Sequence, residues 1–153
     1  MNRANLPIVH IAKTCADTLS DHRVKKVGVL ATRRACAGGV FTEHFQSAGI
    51  TACYLDAACA QRLDEAIFGE LEQGKYGPLT RQALMQAAEF FSQQGIAELL
   101  LGCTELRLHT VPPELRTSSA SAQPALRFLD STDIHCKAIV DAPLLPETWA
   151  PTP

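Results

Sequence analysis

The stretch Ala97–Leu106, AELLLGCTEL, decides the fold that we expect for this chain. Three consecutive leucines between polar residues predict a buried parallel strand, and Gly102 then allows a tight turn of the backbone. Cys103 would lie at the carboxyl end of that strand, before a helix that the Thr104 hydroxyl would cap. Because helix amides stabilise a nearby anion, this placement predicts a lowered pKa for the Cys103 thiol. A small buried cysteine that closes a core strand is the alternative interpretation.

Strand and helix patterns alternate along the rest of the chain. Short apolar runs predict strands at 6–11, 27–31, 50–55, 97–102 and 126–129. Apolar residues at helical spacing predict helices at 12–20, 33–49, 58–71 and 78–94 and after 130, the last with Ile134, Ala138 and Ile139 facing inward. A loop rich in Pro, Ser and Thr is expected over 111–125. The alternation predicts an α/β fold, a parallel sheet flanked by helices.

The composition is that of an ordinary folded domain. Of the 153 residues, 46% are hydrophobic and 20% are charged, so we expect one domain over 1–142, followed by a Pro-rich C-terminal tail over 143–153. A formal net charge of −2 provides no basic field, so neither nucleic acid nor a membrane surface is an expected partner. No apolar run is long enough to span a bilayer and no export signal is recognisable, so a cytoplasmic location is expected.

The cysteines do not form a pattern typical of disulfides or zinc sites. They are dispersed through a chain large enough to bury a core, and no two are spaced as C-x-x-C. Reduced thiols are therefore expected, with no metal site. The six cysteines are at positions 15, 36, 53, 59, 103 and 136.

Three motifs resemble the aspartate/glutamate racemase family, which interconverts amino-acid enantiomers without pyridoxal phosphate. Gly102–Glu105, GCTE, resembles the second catalytic cysteine motif of this family. Val27–Thr32, VGVLAT, resembles the strand and threonine that open its second lobe, and Leu129–His135, LDSTDIH, resembles its closing strand and helix. The resemblance implies one lobe of the racemase fold, a small-molecule amino acid or related carboxylate as substrate, and no cofactor. It also implies a catalytic Cys103, with substrate-binding roles for Thr32, Thr104, Glu105 and His135.

The chain departs from the family pattern in two ways. The family's first lobe, whose own cysteine supplies half of the active site, has no counterpart before position 6, so we expect a truncated protein of impaired activity. Ala35 and Gly38 occupy positions where the family has hydroxyl side chains, and Glu72 occupies that of a lysine that meets an acidic substrate side chain. A carboxylate there would repel such a side chain.

Three functions remain open at this point. The first is a racemase-family lobe, either a truncated or partial product or a subunit that another chain completes. The second is a decarboxylase or isomerase relative that needs only one cysteine, and the third is a non-catalytic binding domain. Cys36 follows a neighbouring strand and is a candidate for a second thiol. A lobe without its partner is also expected to expose apolar surface beside Cys103 and to self-associate, which makes a homo-oligomer possible.

Overall fold

The apolar runs of the sequence form one sheet of four parallel strands. In this computed structural model, which describes residues 8–116 and 126–142, the strand order is β2-β1-β3-β4. The central strand β3 is buried on both faces, and Leu99, Leu100 and Leu101 are fully inaccessible to solvent. The predicted α/β class is therefore confirmed. The strands are β1 (Lys26–Leu30), β2 (Thr51–Tyr54), β3 (Glu98–Leu101) and β4 (Arg127–Asp130).

Helices connect the strands and cover both faces of the sheet. Leu99 and Leu101 pack with Phe91 and with the helices α4 (Ala57–Gly69) and α5 (Pro78–Gln93). Leu100 points to the opposite face and packs with Phe45 and with α1 (Ile11–Asp21). Successive strand residues alternate between the two cores, as the pleat requires. Within the described residues, no helix is long and apolar enough to cross a membrane. The helices are α1 (Ile11–Asp21), α2 (Arg33–Ala37), α3 (Thr42–Ser47), α4 (Ala57–Gly69), α5 (Pro78–Gln93), α6 (Pro113–Arg116) and α7 (Ser131–Asp141), with 3-10 helices at Leu71–Gln73 and Leu108–Thr110.

The register of the sheet brings the ends of the inner strands to one level. Leu30 of β1 pairs with Leu101 of β3, and Leu101 pairs in turn with Asp130 of β4. Two residues further on, Thr32 and Cys103 leave the sheet side by side at its carboxyl edge. The prediction that neighbouring parallel strands bring these two residues to one edge is confirmed.

Several local expectations were wrong. The described part of the first predicted strand, residues 8–10, is irregular, and α1 begins directly after it. No helix begins at Thr104, where the chain forms a turn instead. Ile139 does not face inward, because its side chain is 52% exposed on the outer face of α7. The helix α6 interrupts the predicted loop, and residues 6–7, 117–125 and 143–153 lie outside the described part of the chain.

We expect Gly28→Ala to destabilise the fold. A methyl group at this position of β1 would lie 2.6 Å from Leu99 Cδ2 and 2.9 Å from the Phe91 ring, well inside van der Waals contact. Overpacking of a core costs about 1–3 kcal/mol, and urea unfolding would measure this loss. Gly69→Ala is the control, since nothing lies within 4 Å of the added methyl group there. Equal stability of the two variants would contradict the packing described for β1.

Candidate active site

Gly102 positions the candidate site at the end of β3. Its N–H donates to the Leu30 carbonyl at 2.7 Å, which continues the sheet pairing one step beyond the strand. A Cβ atom here would lie 3.0 Å from the Phe41 ring and 3.3 Å from Ala31 Cβ, so the close approach of these segments favours glycine. Cys103 follows at once and is held at the edge of the sheet.

Cys103, Thr104 and Glu105 form a compact hydrogen-bonded group. The Cys103 thiol donates to Glu105 Oε2 at 3.0 Å, and the Thr104 hydroxyl donates to the same oxygen at 2.7 Å. The Leu106 N–H closes the turn on the Cys103 carbonyl at 3.0 Å, and the Leu106 side chain is fully buried. The turn over Cys103–Leu106, called the cysteine turn below, thus brings together three of the predicted site residues.

The expected lowering of the Cys103 pKa is wrong. The pKa of this thiol is raised to about 11, first by burial and second by its hydrogen bond to the Glu105 carboxylate. The expectation depended on a helix that begins at Thr104, and the structure has none there. Hydrogen bonds from Cys103 and Thr104 lower the pKa of Glu105 in turn. Near neutral pH the site therefore holds a protonated thiol beside an ionised carboxylate.

Thr32 lies on the neighbouring strand end and caps the following helix. Its hydroxyl oxygen accepts a hydrogen bond from the Ala35 N–H at 3.2 Å. The backbone N–H of Arg33 and its Nε both donate to the carboxylate of Asp64, at 3.0 Å and 2.8 Å. An open groove of about 440 Å³ borders this ion pair. Thr32 is thus in place at the edge of the sheet, and Asp64 already partners the cation beside it.

The two remaining candidates have their own partners. His135 Nε2 is 2.9 Å from the Val9 carbonyl, a contact that joins α7 to the segment before α1 rather than to the cysteine turn. The thiol of Cys36 lies 3.9 Å from the Ala31 carbonyl, and burial together with the nearby Asp64 carboxylate raises its pKa. A role for either residue in the site stays a prediction.

Sequence reasoning missed the ion pair of Arg107 with Asp130, which joins the end of the cysteine turn to α7. Asp130 is 3% exposed, and its carboxylate accepts from Arg107 Nε at 2.9 Å. Asp130 also caps α7, because its carboxylate accepts from the N–H groups of Thr132 and Asp133. No local pattern marks a partner 23 residues away.

Comparisons with known proteins identify the family and the fold of the chain. The family model described as Asp/Glu/Hydantoin racemase matches residues 2–139. The chain belongs to this family. Like the solved structures of the family, it has an α/β fold. Among the described residues of this chain, no group of three or more His, Cys, Asp and Glu side chains could hold a metal ion.

Three solved structures are similar in fold. A putative Asp/Glu racemase from Yersinia pestis has a TM-score of 0.72 at 23% identity, covering 89% of this chain and 56% of its own. An aspartate racemase homologue from Pyrococcus horikoshii OT3 has a TM-score of 0.71 at 20% identity, covering 90% and 57%. The Picrophilus torridus aspartate racemase has a TM-score of 0.57 at 18% identity, covering 92% and 54%. The chain thus spans little more than half the length of these racemase-family proteins.

We expect Glu105→Gln to lower the pKa of the Cys103 thiol. The variant removes the negative charge that disfavours the thiolate, and each unit of decrease raises the thiolate fraction at pH 8 about tenfold. Iodoacetamide labelling against pH, read by peptide mass spectrometry, would locate the inflection, with the exposed Cys136 as an internal reference. In the wild type, Cys136 should react before Cys103 at pH 8, since Cys103 is half-buried and protonated.

Glu89→Gln is the matched control, because Glu89 is an exposed carboxylate on α5. It should leave the labelling of Cys103 unchanged. If Glu105→Gln also left the inflection where it is in the wild type, the hydrogen bond between Cys103 and Glu105 would not control the protonation of the thiol.

Proposed function

We propose that this domain supplies one of the two acid/base groups of a cofactor-independent racemisation at the Cα of an amino acid or a related carboxylate. Cys103 is that group. The proposal is carried by the protonated thiol of Cys103 at the carboxyl edge of β3, hydrogen-bonded to Glu105 and level with Thr32. Membership of the Asp/Glu/Hydantoin racemase family supports the same reaction class.

The chemistry needs a proton donor and a proton acceptor on opposite faces of Cα. A base on one face removes the Cα proton, and the Cys103 thiol delivers its own proton to the carbanion from the other face. The S–H bond breaks, a C–H bond forms, and Cys103 is left as a thiolate. In the reverse direction this thiolate is the base that removes the proton. A thiol with a pKa of about 11 starts in the donor form near neutral pH.

The hydroxyl groups beside Cys103 suit the two charged ends of an amino acid. Thr32 accepts from the backbone through its oxygen, so its hydrogen is free to donate to the substrate carboxylate and to stabilise the developing carbanion. The Glu105 carboxylate, held by Thr104, attracts the substrate ammonium group instead. The proposed substrate-binding groups are the hydroxyls of Thr32 and Thr104, the Glu105 carboxylate and the His135 imidazole.

The opposing acid/base group is proposed to come from a second lobe, supplied by another chain or by another part of a longer protein. The racemase-family structures that match this chain are nearly twice as long as the region they share with it. Because thiol acid/base chemistry needs reduced cysteines, we also propose a cytoplasmic location, where thiols are kept reduced.

A one-cysteine decarboxylase or isomerase is the second candidate. The raised pKa of Cys103 favours it, because such an enzyme needs only a proton donor for a carbanion on one face. This candidate differs from the racemase in needing no opposing group. Product analysis separates the two, since a decarboxylase releases carbon dioxide and a racemase releases the opposite enantiomer.

We expect the 153-residue chain alone to exchange little or no Cα proton of either enantiomer of aspartate or glutamate in D2O. Exchange needs a base that removes the Cα proton, and the Cys103 thiol is protonated near neutral pH while the opposing base is proposed to come from a second lobe. Proton NMR of the Cα signal would measure the exchange. Racemase-level exchange that Cys103→Ala abolishes would show that the opposing group is present in this chain, and Cys36→Ala would then test the thiol on α2.

Substrate binding is tested separately from turnover. Amino acids that bind the site should slow the alkylation of Cys103 at pH 9 while leaving that of the exposed Cys136 unchanged. Thr32→Val should weaken this protection, because it removes the hydroxyl proposed to bind the carboxylate. The matched control is Thr51→Val, since Thr51 is an exposed residue at the start of β2, at the opposite end of the strands. If no amino acid or related carboxylate protected Cys103, the proposed function would fail.

We also propose that the chain self-associates through the surface beside the cysteine turn. Leu108, two residues after Leu106, remains 38% exposed there. Burial of apolar side chains in an interface is favourable, so sedimentation velocity should find a concentration-dependent dimer that Leu108→Asn weakens. Val140→Asn, at an exposed apolar residue near the end of α7, is the control. A clean monomer at high concentration would contradict the proposal.

A further inference from the structure

Asp130 is a buried carboxylate that the proposed reaction does not use. It is the last residue of β4, its side chain is 1% exposed, and each of its oxygens accepts two hydrogen bonds. Oδ1 accepts from the N–H groups of Thr132 and Asp133 in the first turn of α7. Oδ2 accepts from Arg107 Nε at 2.9 Å and from the Leu108 N–H at 3.2 Å. Burying a carboxylate is costly unless its partners are fixed, so this group holds two segments together.

Arg107 is the residue that follows the cysteine turn. Its guanidinium binds Asp130 through Nε and Asp133 through Nη2, so one side chain bridges both acidic residues at the start of α7. Arg107 is therefore held in one orientation by the planar geometry of its guanidinium.

Apart from the core packing of Leu106 and the half-buried Cys103, the cysteine turn has few contacts with the rest of the described chain. The side-chain hydrogen bonds of Cys103, Thr104 and Glu105 all lie within the turn. The start of the turn is fixed by the hydrogen bond from the Gly102 N–H to the Leu30 carbonyl of β1. Its end is fixed by the buried Leu106 and by Arg107. The contact of the thiol with the carboxylate thus depends on where Arg107 holds the end of the turn.

We infer that Asp130 is a positioning residue that, through Arg107, holds the cysteine turn closed and keeps the Cys103 thiol in contact with Glu105. Asp130 makes no contact with the thiol and acts on it only through the backbone of the turn. The charged and titratable groups around it are Arg107, Asp133 on α7 and the Cys15 thiol on α1. What the thiol does once it is positioned rests on the proposed function, whereas the positioning itself does not.

Asp130→Asn tests this inference through the alkylation of Cys103. Burial and Glu105 raise the pKa of this thiol, and both effects weaken when the turn opens. The inflection of labelling against pH should therefore move down from about 11, with labelling at pH 8 rising about tenfold for each unit. A residue that only stabilised the fold would lower the unfolding midpoint and leave this inflection in place.

Two controls separate local opening from unfolding. Asp64→Asn removes a similarly buried carboxylate that binds a backbone N–H and the Nε of Arg33, and it should leave the Cys103 inflection unchanged. Far-UV circular dichroism under the labelling conditions reports global unfolding, because the buried Cys15 thiol lies near Asp130 and would respond to the substitution itself. In Asp130→Asn the alkylation of Cys103 should rise while the circular dichroism spectrum stays that of the folded protein.

Arg107→Lys is the second variant and applies even if Asp130→Asn fails to fold. It keeps the positive charge but loses the two-pronged contact with Asp130 and Asp133, so the Cys103 inflection should again move down. An unchanged inflection in the folded variants, or a rise in Cys103 labelling that occurs only as the circular dichroism signal of the fold is lost, would overturn the inference. Alkylation requires no turnover, so a shifted inflection with no amino acid protection would leave the inference standing and remove only the proposed function.

Discussion

The hydrogen bond from the Gly102 N–H to the Leu30 carbonyl is the constraint on which the candidate site depends. It extends the pairing of β1 and β3 past the last strand residue, and no larger side chain fits at Gly102 without displacing Phe41. The position at which the backbone leaves β3 is therefore fixed relative to β1. Cys103 lies level with Thr32, and the hydrogen bonds of the cysteine turn start from that position.

Burial and charge together determine what the cysteine can do. Cys103 is half-buried and donates to a carboxylate, and both conditions favour the neutral thiol over the thiolate. The same hydrogen bond, together with that from Thr104, stabilises the ionised form of Glu105. Near neutral pH Cys103 therefore carries a proton on sulfur, and Glu105 carries a negative charge on its carboxylate. This arrangement suits the donation of a proton to a carbanion better than nucleophilic attack by a thiolate.

Most of the fold could be predicted because its signals are local. The apolar spacing of Ala12, Cys15, Ala16 and Leu19 identified α1, and all four are buried as the pattern requires. The cysteine turn could not be predicted in this way. The Thr104 hydroxyl is equally able to cap a helix or to bind Glu105, and the choice depends on long-range contacts of the residues that follow. The error in the Cys103 pKa has the same origin, since it assumed a helix that these contacts prevent.

The geometry of a sheet edge limits the proposed chemistry. Thr32 and Cys103 leave neighbouring parallel strands at the same level, so both reach a ligand from the side of the sheet. A Cα substituent on the far face of that ligand points away from the strands. Cys36 follows β1 and therefore lies on the same side of such a ligand as Cys103, whereas a second lobe that faces this edge of the sheet would reach the other side. Under the proposed function, a second lobe is therefore a better source of the opposing group than Cys36.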